Sequence, residues 1–230
     1  MAQPTRVDDV YRRLRRDILS GRHLPGAKLL SEPLRQEYNI SSGVLREVLP
    51  RLAGEGLVVS EPQRGFRVAT VSVSDLHQLT EARILVETAA LHQAIEVGDL
   101  QWESRVVAAH HTLAGSAFRD DTGKLSEEWL IAHSAFHESL LSGSPNQRLQ
   151  RIASQLRDAT ELYRCWSHGL GDEPNRDVAG EHRLIFEATV AREGDRAAAL
   201  LAEHYEHTTR IMTRLSDSMG EPSAQAMTPA

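Results

Sequence analysis

The chain has 230 residues, 40% of them hydrophobic and 25% charged, which is enough for about two ordinary domains with closed cores and no need of covalent staples. A lone cysteine excludes an internal disulfide and points to a reducing compartment. No apolar run nears the ~20 residues that cross a bilayer, and the N-terminus lacks a signal-peptide core, so a cytoplasmic protein with no membrane partner is expected.

Net charge is −6, but it is unevenly spread. Met1 to Thr70 holds twelve Lys and Arg against eight Asp and Glu, and the remainder fourteen against twenty-four. A basic head on an acidic body places nucleic acid at one end only. Ten of the eleven histidines fall after residue 70, so the histidine chemistry belongs to the acidic part.

In the head, Val10, Leu14 and Ile18 recur every four residues among arginines, predicting an amphipathic helix from Val7 to Ser20 that stops at Gly21. After the Leu24-Pro25-Gly26 turn, Ser31 is expected to cap a second helix running to Tyr38, with Asn39 closing it. Ser41 is expected to cap a third, whose Val44, Leu45, Val48, Leu49 and Leu52 point inward and whose Ser42, Gly43, Arg46 and Glu47 face out. Pro50 removes a hydrogen bond and opposes the carbonyl of Arg46, so a kinked or shortened helix is expected. Leu57 to Ser60 and Phe66 to Ala69 read as two strands around a Glu61-Pro62-Gln63-Arg64-Gly65 tip. Two short helices and a hairpin make a winged helix-turn-helix, with Ser41, Ser42 and Arg46 toward the major groove and Arg64 and Gly65 toward phosphates or the minor groove.

Leu45-Arg-Glu-Val-Leu49 followed by Leu52-Ala-Gly-Glu-Gly-Leu-Val58 resembles the recognition helix and wing of the GntR family of bacterial transcription regulators, over residues 5–70. Members of that family usually carry an arginine and a threonine just after the capping serine, where this chain has Ser42 and Gly43. Part of the usual base readout is therefore missing.

Beyond Ala69 the periodicity is helical throughout. One helix starts at Ser74-Asp75 and stops at Gly98; others are expected near 100–118, 126–142, 147–168, 180–192 and 195–216, separated by breaks rich in Gly, Asp and Pro. Short connections make an all-helical bundle over 71–218, with 219–230 a flexible tail. The fold class is thus mainly α: an N-terminal winged helix-turn-helix over 5–70 and a C-terminal helical bundle.

His133 and His137 share one face of a helix, at a spacing that lets two imidazoles grip one ion. The body resembles the FCD effector domain of the FadR-type subfamily over 75–215, through Glu81-Ala-Arg83 with Glu87, Trp129 to His137, Pro145-Asn146, Glu181-His-Arg183 and His204. Many such domains are similar in holding a divalent metal through one aspartate and three histidines. His137, His182 and His204 fall on the histidine positions and His133 on that of the aspartate. Four imidazoles suit a divalent transition metal, zinc or nickel foremost, and leave its charge uncancelled, so an anion is expected to complete the shell. The resemblance implies a small organic acid as effector, with Arg83 as second anchor, and Asn146 and Arg164 are further candidates for its site; a homodimer is expected, as in FadR-type proteins, because a two-fold protein reads a two-fold operator, an inverted repeat of double-stranded DNA.

Several of these residues carry a second reading. Arg83 and Glu87 also fit a solvated i, i+4 pair, Asn146 a turn residue, and Arg157 and Arg164 either cavity cations or solvated ones. His207 fits an exposed or outer position, while His92, His110 and His111 read as surface.

The resulting expectation is a ligand-responsive regulator, a repressor released by a carboxylic acid bound at a metal site. Two alternatives stand beside it. One is a regulator that senses the metal itself; the other, a metal-dependent hydrolase, is disfavoured because Ser134 occupies the place of the catalytic glutamate. No enzyme is expected.

Overall fold

The computed structural model describes residues 5–123, 125–166 and 176–219. Two compact units divide the chain, one running through Leu76 and taking in a later stretch that begins at Gln155, the other formed by the rest.

In the first unit, helix α1 (Arg6–Leu19) starts with a capping box in which the Thr5 hydroxyl accepts from the Asp8 N–H and the Asp8 carboxylate accepts from the Thr5 N–H. Its stripe of Val10, Leu14 and Ile18 is wholly buried. Strand β1 (Lys28–Leu29), α2 (Ser31–Tyr38), α3 (Ser42–Gly54), β2 (Val58–Glu61) and β3 (Gly65–Val68) follow. Asn39 ends α2 in the left-handed region at φ 51°, as its position after Tyr38 implied.

Four details depart from expectation. Leu30, not Ser31, holds the N-cap position of α2, and Ser41 has cap geometry at α3 without a side-chain cap bond. Helix α3 runs unbroken through Pro50, because burial of Leu45, Val48, Leu49 and Leu52 at about 1.5–3 kcal/mol each outweighs the ~3 kcal/mol cost of the proline. The hairpin gains a third strand, since β1 pairs antiparallel with β3 to give the order β1-β3-β2. A hairpin alone is marginal in water, and a two-residue strand is too short to announce itself in sequence.

The end of helix α7 (Gln147–Trp166) completes this unit. Leu162 joins the core of Val10, Leu14, Leu45 and Leu52. Asp158 pairs with Arg15, and the Tyr163 hydroxyl donates to Asp75 while accepting from the Ser72 N–H.

The second unit is helical: α4 (Val73–Val97, from His77), α5 (Leu100–Gly115), α6 (Glu127–Leu141), the start of α7, α8 (Val178–Val190) and α9 (Gly194–Met219). Helix α5 packs on α6 and α8, and α8 on α9, around Leu91, Trp102, Phe136, Leu140, Ile185 and Leu201. Trp102 donates its indole N–H to the Ser139 carbonyl at 3.0 Å. Helix ends lie within a few residues of expectation, and the expected turn near Asp120 is closed by an isolated bridge between Arg119 and Leu125. His110 is half-buried and stacks on Phe186 at 4.2 Å, where a surface position was expected. No described helix is long and apolar enough to cross a membrane. The tail expected from 219 lies, from 220 on, outside the described residues.

Candidate metal centre and nucleic-acid face

Three helices carry the histidines inward. Ser126 caps α6 by accepting from the Trp129 N–H, which sets the turn that buries His133 and His137; Asp177 caps α8 at the Gly180 N–H, which positions His182. His204 comes from α9. All four imidazoles are buried, and one nitrogen from each lies within 4.8 Å of all the others. Trp129 stacks on His133 at 4.6 Å and closes that side.

Bonds behind the ring orient its members. His204 Nδ1 lies 2.7 Å from Glu181 Oε2. A carboxylate only accepts, so Nδ1 carries the proton and Nε2 keeps its lone pair. His137 Nδ1 lies 3.3 Å from the Tyr205 hydroxyl, which itself donates to Glu87 Oε2 at 2.6 Å. With that proton committed, the Tyr205 oxygen accepts from Nδ1–H, and His137 too presents Nε2. His137 Nε2 and His182 Nε2 stand 3.3 Å apart, a spacing satisfied by a shared proton or by a cation. The donor set fits a transition metal, because nitrogens ~2.0–2.1 Å from zinc lie about 3.3 Å apart along a tetrahedral edge.

Behind the imidazoles lie two arginine–glutamate pairs, one part-buried and one buried. Arg176 donates Nε to Glu181 Oε1 at 2.9 Å and Nη2 to Oε2 at 2.7 Å. Burial pushes the Glu181 carboxyl up, but bonds from Arg176 and His204 outweigh it and hold the carboxyl well below its usual range. Burial holds the His204 imidazole below its ordinary value against the pull of Glu181. Arg83 donates Nε to Glu87 Oε1 at 2.7 Å, with its guanidinium 3.8 Å over the Tyr205 ring. This pair is buried rather than solvated.

Of the other residues expected here, Asn146 is exposed and caps α7, its Oδ1 accepting from the Arg148 and Leu149 N–H groups. The Arg164 side chain lies outside the described residues. His207 reaches Glu181 Oε1 at 3.1 Å and so belongs to the outer layer. Sequence reasoning gave no site role to Glu181, which it used only for the resemblance, and missed Tyr205 and Arg176. The signal for the first two was adjacency: Glu181 precedes His182 and Tyr205 follows His204, on the helices that carry the buried histidines.

In the first unit Ser41, Ser42, Arg46, Arg64 and Gly65 are all exposed. Arg46 has no hydrogen bond or ion pair among the described residues and stands free on α3. Gly65 has φ 90°, a conformation the wing tip reaches at little cost only with glycine. Arg51, on the same helix, is bound to Asp8 at 3.0 Å and lies 3.6 Å over the Tyr11 ring, so it is committed internally.

Comparison with known proteins agrees with both units. Residues 6–68 match the bacterial regulatory proteins of the gntR family, and residues 78–207 match the FCD domain. The chain is 35% identical over 208 residues to the HTH-type transcriptional regulator BphR of Paraburkholderia xenovorans strain LB400, covering 90% of this chain and 84% of that one. It is 33% identical over 199 residues to the HTH-type transcriptional repressor GlaR of Escherichia coli K12, covering 85% and 90%. Among solved structures, E. coli McbR/YncC superposes with a TM-score of 0.78 at 19% identity, covering 92% and 99%, which shows the shared fold. These families and relatives are regulators, not enzymes.

Proposed function

Since the chain belongs to the gntR family of DNA-binding transcription regulators and carries its FCD domain, we propose that it is a repressor released from its operator by a small carboxylic acid bound at a four-histidine metal centre. The observation that carries this reading is the cluster of His133, His137, His182 and His204, buried together and containing no carboxylate. A divalent ion there, zinc or nickel foremost, supplies an uncancelled positive charge that attracts an anionic oxygen. The chain's part is to turn Nε2 inward at His137 and His204, to exclude water by burial, and to place the Arg83 guanidinium beside Tyr205 as a second cation near the acid. Asn146 enters only as the cap that starts α7, and Arg164 as a further cation on that helix.

DNA recognition follows from α3 and the wing. Arg46 and Ser42 face the bases, Ser41 the backbone, and Arg64 with Gly65 the phosphates or minor groove. One short helix with one free arginine buries too little surface for tight specific binding, so the active species is a homodimer on an inverted repeat. Repression is favoured by the likeness to GlaR, which is named a repressor. The acid acts by binding one arrangement of the dimer better than another, since only that difference shifts operator affinity.

The test is metal content of the purified protein, followed by operator binding measured by fluorescence anisotropy with zinc or nickel and a panel of C3 to C6 acids. Metal at one ion per chain, with operator released by an acid only in the loaded form, is the expected result. Release by metal alone favours the direct metal sensor. No metal uptake and no acid response overturn the reading.

A further inference from the structure

Two elements of the first unit are to meet DNA together, α3 with Ser42 and Arg46 and the wing with Arg64 and Gly65. Three residues, Glu55, Gly56 and Leu57, join α3 to β2. Glu55 is the C-cap of α3, and Gly56 follows at φ 77°, the left-handed turn that aims β2. A displacement at Glu55 therefore changes the angle between helix and wing. Its carboxylate is held from α1 by two side chains one turn apart: the Tyr11 hydroxyl donates to Oε1, and Arg15 Nε stands 3.6 Å from Oε2. Arg15 has a second carboxylate. Its Nη2 meets Asp158 Oδ2, on the stretch of α7 that belongs to the same unit. The side chains of Arg15, Glu55 and Asp158 are 29%, 21% and 16% exposed, so attraction between them is screened less than on an open surface. The guanidinium is planar, and anchoring it at Nη2 sets the direction of Nε. Leu162, one turn beyond Asp158, sits in the core with Val10, Leu14 and Leu45 and holds the anchor's own backbone.

We propose that Asp158 is a positioning residue for DNA recognition: by orienting Arg15 it fixes Glu55, and with it the angle at which α3 and the wing are presented to the duplex. The inference rests on the DNA-reading assignment of α3 and the wing, and on neither the metal nor the acid. Its signature opposes simple electrostatics. An acidic side chain in a basic head repels phosphates, so removing its charge by itself raises affinity for any DNA. Removing a positioning residue lowers affinity only for the sequence that both elements must meet at once, because contacts to the bases depend on the exact pose and attraction to phosphates does not.

The experiment uses the full chain and two fluorescent duplexes: the one that wild type selects most strongly from a random-sequence pool, and a scrambled one of equal length and composition. Anisotropy titrations give the affinity for each, and thermal melts report folding. Asp158→Asn, which keeps the shape and removes the charge, should lose at least about five-fold in affinity for the selected duplex, while affinity for the scrambled one holds or rises. Asp158→Glu should recover most of the loss. In an Arg15→Gln background the Asp158→Asn change should cost nothing further, since the path is already cut. Glu55→Gln should reduce selectivity in the same direction without touching α7. Undiminished affinity of Asp158→Asn for the selected duplex overturns the inference. So does an equal loss on both duplexes with a lowered melting temperature, the mark of a purely structural role. Full additivity with Arg15→Gln overturns the path through Arg15. A wild type that selects no sequence overturns the operator reading and this inference with it, a result distinct from any failure confined to the variants.

Discussion

Replacing Tyr205 with phenylalanine removes one oxygen from the middle of a buried chain and leaves the ring in place. That hydroxyl donates to Glu87 at 2.6 Å and stands 3.3 Å from His137 Nδ1, and Glu87 is fully buried. The phenyl ring still lies under the Arg83 guanidinium, so stacking and packing persist; the losses are the bond donated to the charged Glu87 and the longer one accepted from His137, the first of which dominates stability. Such a bond contributes about 1.5–3 kcal/mol. At about 2–4 °C per kcal/mol for a chain of this size, the metal-free melting temperature should fall by about 4–8 °C for a loss of ~2 kcal/mol. His137 loses the acceptor that fixes its tautomer, so metal affinity should fall as well, by roughly 10–100-fold. Circular dichroism melts with and without chelator, and competition of zinc against a colorimetric chelator, read the two effects separately. A Tyr205→Phe protein with the melting temperature and zinc affinity of wild type would refute the chain from Glu87 through Tyr205 to His137.

Arg46→Ala should weaken operator binding by about 1–3 kcal/mol if the guanidinium meets a base, or lower the salt slope by about one unit if it meets a phosphate; titrations at several salt concentrations tell these apart. Arg64→Ala should act through the salt slope alone, and wild-type behaviour of both variants would remove this face from the interface. Stripping metal with a chelator should lower the melting temperature and readdition should restore it, because an ion that binds only the folded state stabilises by mass action; identical melts with and without chelator count against the four-histidine site. Gly143→Ala places a Cβ 2.9 Å from three atoms of the buried Trp102 ring, an overpacking expected to cost about 1–3 kcal/mol in denaturant unfolding. An unchanged midpoint would mean that Trp102 moves freely.

The helices were legible because their apolar spacing is local. Val10-Leu14-Ile18 and His133-His137 declare a face within a few residues of each other. What escaped was decided by distant partners. Arg83 and Glu87 read equally well as a solvated pair, and what buries them includes Tyr205, 118 positions beyond Glu87. The pairing of Arg176 with Glu181 joins the end of a loop to the start of α8. Strand β1 has only two residues and acquires its identity from β3, and α3 survives Pro50 because its inner face is anchored in a core that no local rule weighs. Within the site, the four imidazoles were found from spacing and family resemblance. The carboxylates that fix their tautomers were not, since an acidic residue beside a histidine is common and only packing tells a brace from a solvated neighbour.

Helix α7 gives Ala153 to one hydrophobic core and Leu162 to the other, within a single run of hydrogen-bonded turns. A fragment ending near residue 70 would therefore lack the side chain that closes the core around Leu14 and Leu52, as well as the carboxylate that meets Arg15. The segment that reads DNA is thus not an autonomous folding unit in the way its sequence boundary implies. Amide hydrogens of α7 beyond Gln155 should therefore exchange at a rate set by opening of the core around Leu14 and Leu52.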